Sequence, residues 1–481
     1  VLSRRNFLKG SFAAAGLAAA GPRLGFKAAA PVAAPFDHVI VVMMENRSFD
    51  HFLGWLPGAD GRQAGLSYTD RAGVTYPTYD LAPDYQGCGY ADPDHSWEGG
   101  LVQLAGGANS GFLKTAKAGD TFPIGYYTEP SVPVLGALAR SYTVSDNYFC
   151  SILAETYPNR FYQHSAMTPR DHNGDSEPIV QPTIWDRLAA AGVSHRYYFT
   201  DVPFIGLWGA KYLGIAGHVT EFLASCAAGT LPAVSFVDPA FAGEDQGVSK
   251  DDHPHADIRN GEVFLSLLYN AVRLSPLWPK TVMLVNFDEW GGFFDHVVPP
   301  RVIDDYVNPT AGRHPDYHQL GFRVPNVVVS PFSHKGMVVR GGAPFEHTSA
   351  LRMIEWRWGL APLRARDAHA RNLADMLDFS LQRTDMPAIP LPAVPTTVAC
   401  GVASTPARPP APIRLASGAP PSPPGAPGAP GPSGPAGGGV LPPTGGDGAL
   451  AAVGSAILAA GVAVGARQRR QRSPYSSRPT G

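Results

Sequence analysis

Side chains able to do chemistry cluster at the ends of apolar runs in this chain. In Phe36–Leu53 (FDHVIVVMMENRSFDHFL), the run Val39–Met44 stops at Glu45-Asn46 and a helix-like segment follows. Ligands gather outside the carboxyl ends of strands in open α/β sheets, so two oxygen donors placed there suggest a cation site. A strand followed by a helix capped by Asn46 or Ser48 would produce the same string. In SILAETYPNRFYQHS, Thr156, Pro158 and Arg160 have the spacing T-x-P-x-R. A hydroxyl just ahead of a helix lies at the positive end of its dipole, where backbone N–H groups hold phosphate, and Arg160 would add a charge-assisted contact. An ordinary Thr-Pro helix cap has this spacing too.

Further candidates follow the same logic. In VNFDEWGGFFDHVVPP, Asp288-Glu289 close a strand, Gly291-Gly292 permit a tight turn, and Asp295-His296 come next. Adjacent carboxylates repel unless a cation or a proton intervenes. Asp252-His253 precede a helix in KDDHPHADIRNG, and His95 stands in DPDHSWEGG. His347 precedes a helix whose apolar face is Leu351, Ile354 and Trp358. Trp97, Tyr126, Tyr127 and Tyr157 lie near these motifs and could either cage a quaternary ammonium or pack the core.

The elements that must position these groups are legible as alternation. Val39–Met44, Ala233–Val237 ahead of Asp238, Thr281–Phe287 ahead of Asp288 and Val327–Val329 ahead of Ser330 read as strands. Amphipathic stretches such as Ile184–Ala191 and Asn260–Val272 lie among them. This pattern predicts an α/β domain, a mostly parallel sheet with helices on both faces, spanning 35–395 without internal repeats. The chain is long enough, at 481 residues, for a sizeable core. A net charge of -2 gives no electrostatic reason to expect nucleic acid as a partner. Cys88, Cys150, Cys226 and Cys400 match no zinc spacing and allow three full disulfide pairings.

Taken together, the strings MMENRSFDH, T-x-PNR, DHP-x-AD-I-R, FDE-x-GG-FFDHV and HTS-x-LR-x-IEWR-x-GL resemble the phosphoesterase family of bacterial phospholipases C and a related acid phosphatase. That family belongs to the alkaline phosphatase-like superfamily, and the resemblance covers about residues 36–365. It implies that Glu45, Asn46, Asp288 and Glu289 hold a divalent metal together with Thr156, which would be the nucleophile. It implies that His95 and Asp252-His253 contact phosphoryl oxygens or donate protons. Glu346 stands where the family often has Asp. Oxygen-rich ligands favour Ca²⁺ or Mg²⁺, while a nearby His leaves Zn²⁺ or Mn²⁺ open. A phosphodiesterase on phospholipid, a phosphomonoesterase and a surface binding protein with a degenerate site are the competing readings. A Thr cannot become formylglycine, which sets a sulfatase aside.

Both ends carry addresses rather than core. Arg4-Arg5, Phe7-Leu8-Lys9 and an Ala/Gly stretch in 1–34 form a twin-arginine signal, read by the Tat translocase; a general secretory leader is the alternative. Residues 396–440 make a Pro/Gly-rich spacer that cannot bury enough surface to fold. In 441–481, LPPTG is followed by an uncharged stretch, Ala449–Ala466, and a basic tail, Arg467–Arg472. This order resembles the sorting signal of Gram-positive surface proteins, in which sortase would cut between Thr444 and Gly445 and join the Thr to peptidoglycan. A tail-anchored membrane helix is the alternative, though about 18 residues is marginal for a span.

Overall fold

The computed structural model describes residues 28, 30–175, 179–307, 316–389, 391–401 and 409–413. The twin-arginine motif, Thr444-Gly445 and the uncharged stretch lie outside them. Six strands form the central sheet: β1 (His38–Met44), β2 (His195–Phe199), β3 (Ala216–His218), β4 (Val234–Val237), β5 (Thr281–Phe287) and β6 (Asn326–Val329). Their order is β6-β5-β1-β4-β2-β3, and every pairing is parallel except β5 with β6. The α/β, mostly parallel architecture expected from the alternation is thus present.

Strand composition explains the layering. Val39–Met44 and the whole of β5 are buried, as befits central parallel strands covered on both faces. At one end of the sheet, the penultimate strand β2 (HRYYF) and the edge strand β3 (AGH) carry polar or small residues and were not anticipated from apolar runs. Among the helices of the described residues are α1 (Thr156–Ser165), α2 (Ile184–Ala190), α3 (Ile258–Arg273) and α4 (His347–Trp358). α2 begins in a capping box between Thr183 and Asp186, and α3 is capped by Asp257. Among the described residues, no helix is long and apolar enough to cross a membrane.

Register carries the strand ends to one place. β1 pairs with β5 so that Met44 lies opposite Phe287, which puts Glu45-Asn46 beside Asp288-Glu289. β4 flanks β1 on its other side and ends at Asp238. Cys88 and Cys400 form a disulfide, while Cys150 and Cys226 are free and buried. Beyond residue 395, where the spacer was expected to begin, the chain still touches the domain: Cys400 is cross-linked, and Ile413 N donates to Thr75 O at 2.8 Å.

Candidate active site

Arg160 organises the carboxyl edge of the sheet. It stands on α1 one turn beyond Thr156, and residues four apart share a helix face. Its Nε donates to Asp288 Oδ2 at 3.1 Å, its Nη1 lies 3.3 Å from Asp238 Oδ1, and its Nη2 lies 3.1 Å from Glu45 Oε1. Nη2 also donates to the carbonyls of Met43 and Met44, both at 3.3 Å. One guanidinium therefore spans the ends of β5, β1 and β4. The opposing charges outweigh its burial and keep it firmly cationic.

The loop before α1 is locked by Asn159. Its Nδ2 donates to the carbonyls of Ile152 and Ala154, and its Oδ1 accepts from Ile152 N. Asn173 Oδ1 accepts from Tyr157 N at 2.7 Å. Thr156, buried in the first turn, is thereby fixed at the positive end of α1.

Several buried oxygens at the strand ends lack hydrogen-bond partners: Glu45 Oε1, Asn46 Oδ1 and Glu289 Oε1. Glu45 Oε1 is close to Arg160, but without hydrogen-bond alignment, so that contact is Coulombic. Burial, together with neighbouring carboxylates, pushes Glu45 and Glu289 far above the ordinary carboxylate range. Burial raises Asp288 to about 6, with Arg160 opposing. Three orphaned oxygens and a crowd of poorly solvated carboxylates fit a hard divalent cation.

Asp288 is differently placed from the other predicted ligands. Its Oδ1 accepts from Asn46 N at 3.1 Å and Glu289 N at 2.7 Å, and its Oδ2 takes Arg160. Glu45, Asp288 and Glu289 are not among the described trios whose ligand atoms all lie within 4.8 Å of one another. Arg160 fills part of the space between the first two. Those compact trios include Asp92–His95–His253 and Glu45–Glu244–His253, which share His253.

The two histidines are held in the same way. Nδ1 of His95 donates to Pro93 O at 2.9 Å and Nδ1 of His253 to Pro254 O at 2.5 Å. Each keeps Nε2 free of a carbonyl; the rings are 5.7 Å apart, edge to face. Their proton affinities diverge. Burial lowers that of His95, but Glu289, Asp92 and Glu155 outweigh it and raise the pKa to about 10. Burial lowers His253 to about 4, with His95 adding to the effect against Asp92. Gly292, at φ 70°, brings the β5 end against the backbone of Pro93 and Asp94, where a Cβ would collide.

Other predicted site residues sit elsewhere. Asp252 turns its carboxylate onto Gly261 of α3, and burial raises it to about 8. Its neighbour Asp251 lies by Glu45 instead, accepting Glu45 N on its carbonyl at 2.7 Å. Asp295 and His296 belong to a separate buried network with Asp50 and Arg323. There Arg323 Nε donates to Asp295 Oδ1 at 2.9 Å and its Nη2 to Asp50 Oδ1 at 3.1 Å. Asp50, Asp295 and His296 form another compact trio, but an internal guanidinium already neutralises it. His347 is a support: its Nε2 donates to Asp288 O at 2.6 Å. Glu346 caps α4 and pairs with Arg366. Tyr127 and Tyr157 are buried against rings, so they pack the core.

Sequence reasoning missed Glu244, Asp251 and Asp92, and gave Asp238 no role. Glu244 comes from an irregular loop with no periodic signal, and its Oε2 lies 3.5 Å from His253 Nδ1. Asp92 lies three residues before His95 in a motif already singled out, so its spacing was the available clue.

A mostly parallel sheet thus gathers a hydroxyl, an arginine and acidic strand ends at its carboxyl edge, where open α/β sheets bind their ligands. The family model for the Phosphoesterase family matches residues 36–361, and the chain belongs to that family; it is a hydrolase acting on phosphoric ester bonds. It is 32% identical to Phospholipase C A of Mycobacterium tuberculosis over 67% of this chain and 73% of that one. It is 30% identical to Non-specific phospholipase C6 of Arabidopsis thaliana over 73% of this chain and 74% of the relative. Among solved structures, a protein of the alkaline phosphatase superfamily from Vibrio parahaemolyticus overlaps 74% of each chain at 10% identity. Its TM-score of 0.34 is too low to bear on function.

Proposed function

We propose that this hydrolase cleaves phosphodiesters of phospholipids in the manner of a phospholipase C, with Thr156 as nucleophile. The observation that carries the reading is the placement of Thr156 one helical turn from Arg160, the guanidinium that joins Glu45, Asp238 and Asp288. The phospholipase names of the relatives support the choice of diester.

In this mechanism the Thr156 hydroxyl attacks phosphorus and the glyceride alkoxide leaves. A divalent cation held by Glu45, Asn46 and Glu289, with Asp288 and Thr156 beside them, would supply charge neutralisation and make the hydroxyl more acidic. Arg160 stabilises charge growing on the phosphoryl oxygens, and it is pre-oriented by three carboxylates, so little reorganisation is needed. Histidines of opposite proton affinity divide the proton work. His95, protonated at neutral pH, gives its proton to the leaving oxygen while neutral His253 takes the proton of the attacking Thr156 hydroxyl. In the second half, water gives its proton to the now neutral His95, and the departing Thr156 oxygen recovers its own from His253. A cation on Glu289 would remove part of the field on His95 and bring its pKa nearer neutrality.

Export through the Tat translocase and sortase-mediated attachment to peptidoglycan are part of the proposal. They are supported by the Arg4-Arg5 and LPPTG strings. An exported, wall-held enzyme would meet lipid outside the cell.

Parallel assays of phosphatidylcholine, p-nitrophenyl phosphorylcholine and p-nitrophenyl phosphate, with and without chelator, test the reading. Diester turnover abolished by chelator and restored by a divalent metal is expected. Preference for the monoester would favour a phosphatase, and silence on all three a binding protein.

A further inference from the structure

The Cys88–Cys400 disulfide lies where two loops of the site come together. One loop, residues 84–95, carries Asp92 and His95; the other, residues 243–255, carries Glu244 and His253. The C-terminal segment 397–400 lies across both. Cys400 is bonded to Cys88 of the first loop, and its N donates to Asp245 O of the second at 2.7 Å. Gln86 Nε2 donates to Val398 O at 2.9 Å. Gly247 is so close to Gln86 that a Cβ there would press on its amide, with Thr397 in contact beside it. The loops also touch each other directly, with His255 Nε2 donating to Tyr90 O at 3.2 Å and its Nδ1 3.3 Å from Asp245 Oδ1. Asp245 adjoins Glu244, and Cys88 precedes Asp92 by one short turn of loop.

We propose that this disulfide, bridging positions 312 residues apart, is a positioning device for the catalytic histidines, so that turnover depends on its oxidation. The inference rests on the proton-transfer roles of His95 and His253 in the proposed mechanism. A loop without regular secondary structure keeps a side chain in place only through its ties. Here the ties converge on the segment containing Cys400. Opening the bond releases the 84–95 loop from the segment that also ties down the 243–255 loop, leaving lighter contacts such as His255–Tyr90 to hold the two loops together. Reduction is balanced: dithiothreitol gives two electrons and two protons, leaves as its cyclic disulfide, and the protein gains two thiols. Cys150 and Cys226 are already thiols and take no part.

The test uses the full chain, metal-loaded, with p-nitrophenyl phosphorylcholine well below the melting temperature. Dithiothreitol should lower kcat by roughly tenfold with KM within about twofold, the signature of misplaced catalytic groups rather than lost binding. Reoxidation should restore kcat, which loss by misfolding would not allow. Cys88→Ser and Cys400→Ser should start at the lowered kcat and ignore dithiothreitol. Unchanged kcat after peptide mapping has confirmed reduction would overturn the proposal, as would mapping that finds the two cysteines unbonded in active protein. If the ester is not turned over at all, the phosphodiesterase reading fails separately. Hydrogen exchange then decides the inference: faster exchange in 84–95 and 243–255 on reduction supports it, and identical exchange sinks it.

Discussion

Arg160 Nε and Asp288 Oδ2 lie 3.1 Å apart, both fully buried, where the ends of β5 and β1 meet α1. This contact couples the helix that carries Thr156 to the strand that carries Glu289. It also bears on how three carboxylates coexist at the edge of an apolar sheet: an internal cation offsets one of their charges, and a bound divalent cation would complete the balance.

Removing that internal cation should be costly. Arg160→Met leaves Glu45, Asp238 and Asp288 without their shared partner, and breaking a buried pair costs about 3–5 kcal/mol. Urea unfolding at neutral pH should show a loss of that size. Arg160→Lys should keep more stability, yet a point charge cannot span three strand ends, so kcat should still fall on the order of 100-fold. Wild-type kcat in the lysine variant would remove Arg160 from the chemistry.

The pH profile should report His95. Its acid form is the working form, so activity falls as pH rises through its pKa. Asp92, 4.0 Å from its Nδ1, is one of the charges that raise that pKa. Asp92→Asn should therefore move the basic limb of kcat to lower pH, toward the ordinary histidine value. A basic limb that stays put would assign it to another group.

Acid should loosen the fold through buried neutral imidazoles. Burial lowers His347 to about 4 and His164 to about 3 from an ordinary 6.5. The unfolded chain then binds more protons than the folded one in this window. The associated stability is complete above pH 6.5 and is lost as pH falls toward 4, by roughly 3 kcal/mol for His347. His347→Gln, which cannot titrate, should flatten the dependence of the urea midpoint between pH 6.5 and 4. An unaltered slope would contradict the assignment.

The Asp295–His296 pair should behave as framework. In Asp295→Asn, Arg323 loses one of its two fully buried carboxylates, a loss of about 3 kcal/mol. The kcat of the folded fraction should stay within about twofold of wild type, since no reacting group is displaced. A large drop in kcat at unchanged melting temperature would instead put this pair in the active site.

The central strands and their acidic ends were legible because parallel strands buried on both faces are continuous apolar runs that stop at a polar residue. Val39–Met44 before Glu45 and Thr281–Phe287 before Asp288 are such cases. β2 and β3, the last two strands at one end of the sheet and only partly buried, carry no such run. Glu45, Asn46, Thr156 and Arg160 stand out in the sequence by type and spacing, and the structure places Glu45, Asn46 and Arg160 at the carboxyl edge of the sheet. The turn of Asp252 onto α3 and the capture of Asp295 by Arg323 were not legible, because both depend on how separate elements pack. Arg323 lies 28 residues from Asp295 and 273 from Asp50. Asp238 reads as a strand end in the sequence, but only the fold shows that it shares Arg160.

Acid quench of the enzyme during turnover of p-nitrophenyl phosphorylcholine, followed by peptide mass mapping, tests the central claim most directly. The account predicts a phosphocholine ester on Thr156, absent from Thr156→Ala, which should be folded and inactive. Wild-type turnover by Thr156→Ala, with no adduct on the Thr156 peptide of the native enzyme, would contradict it.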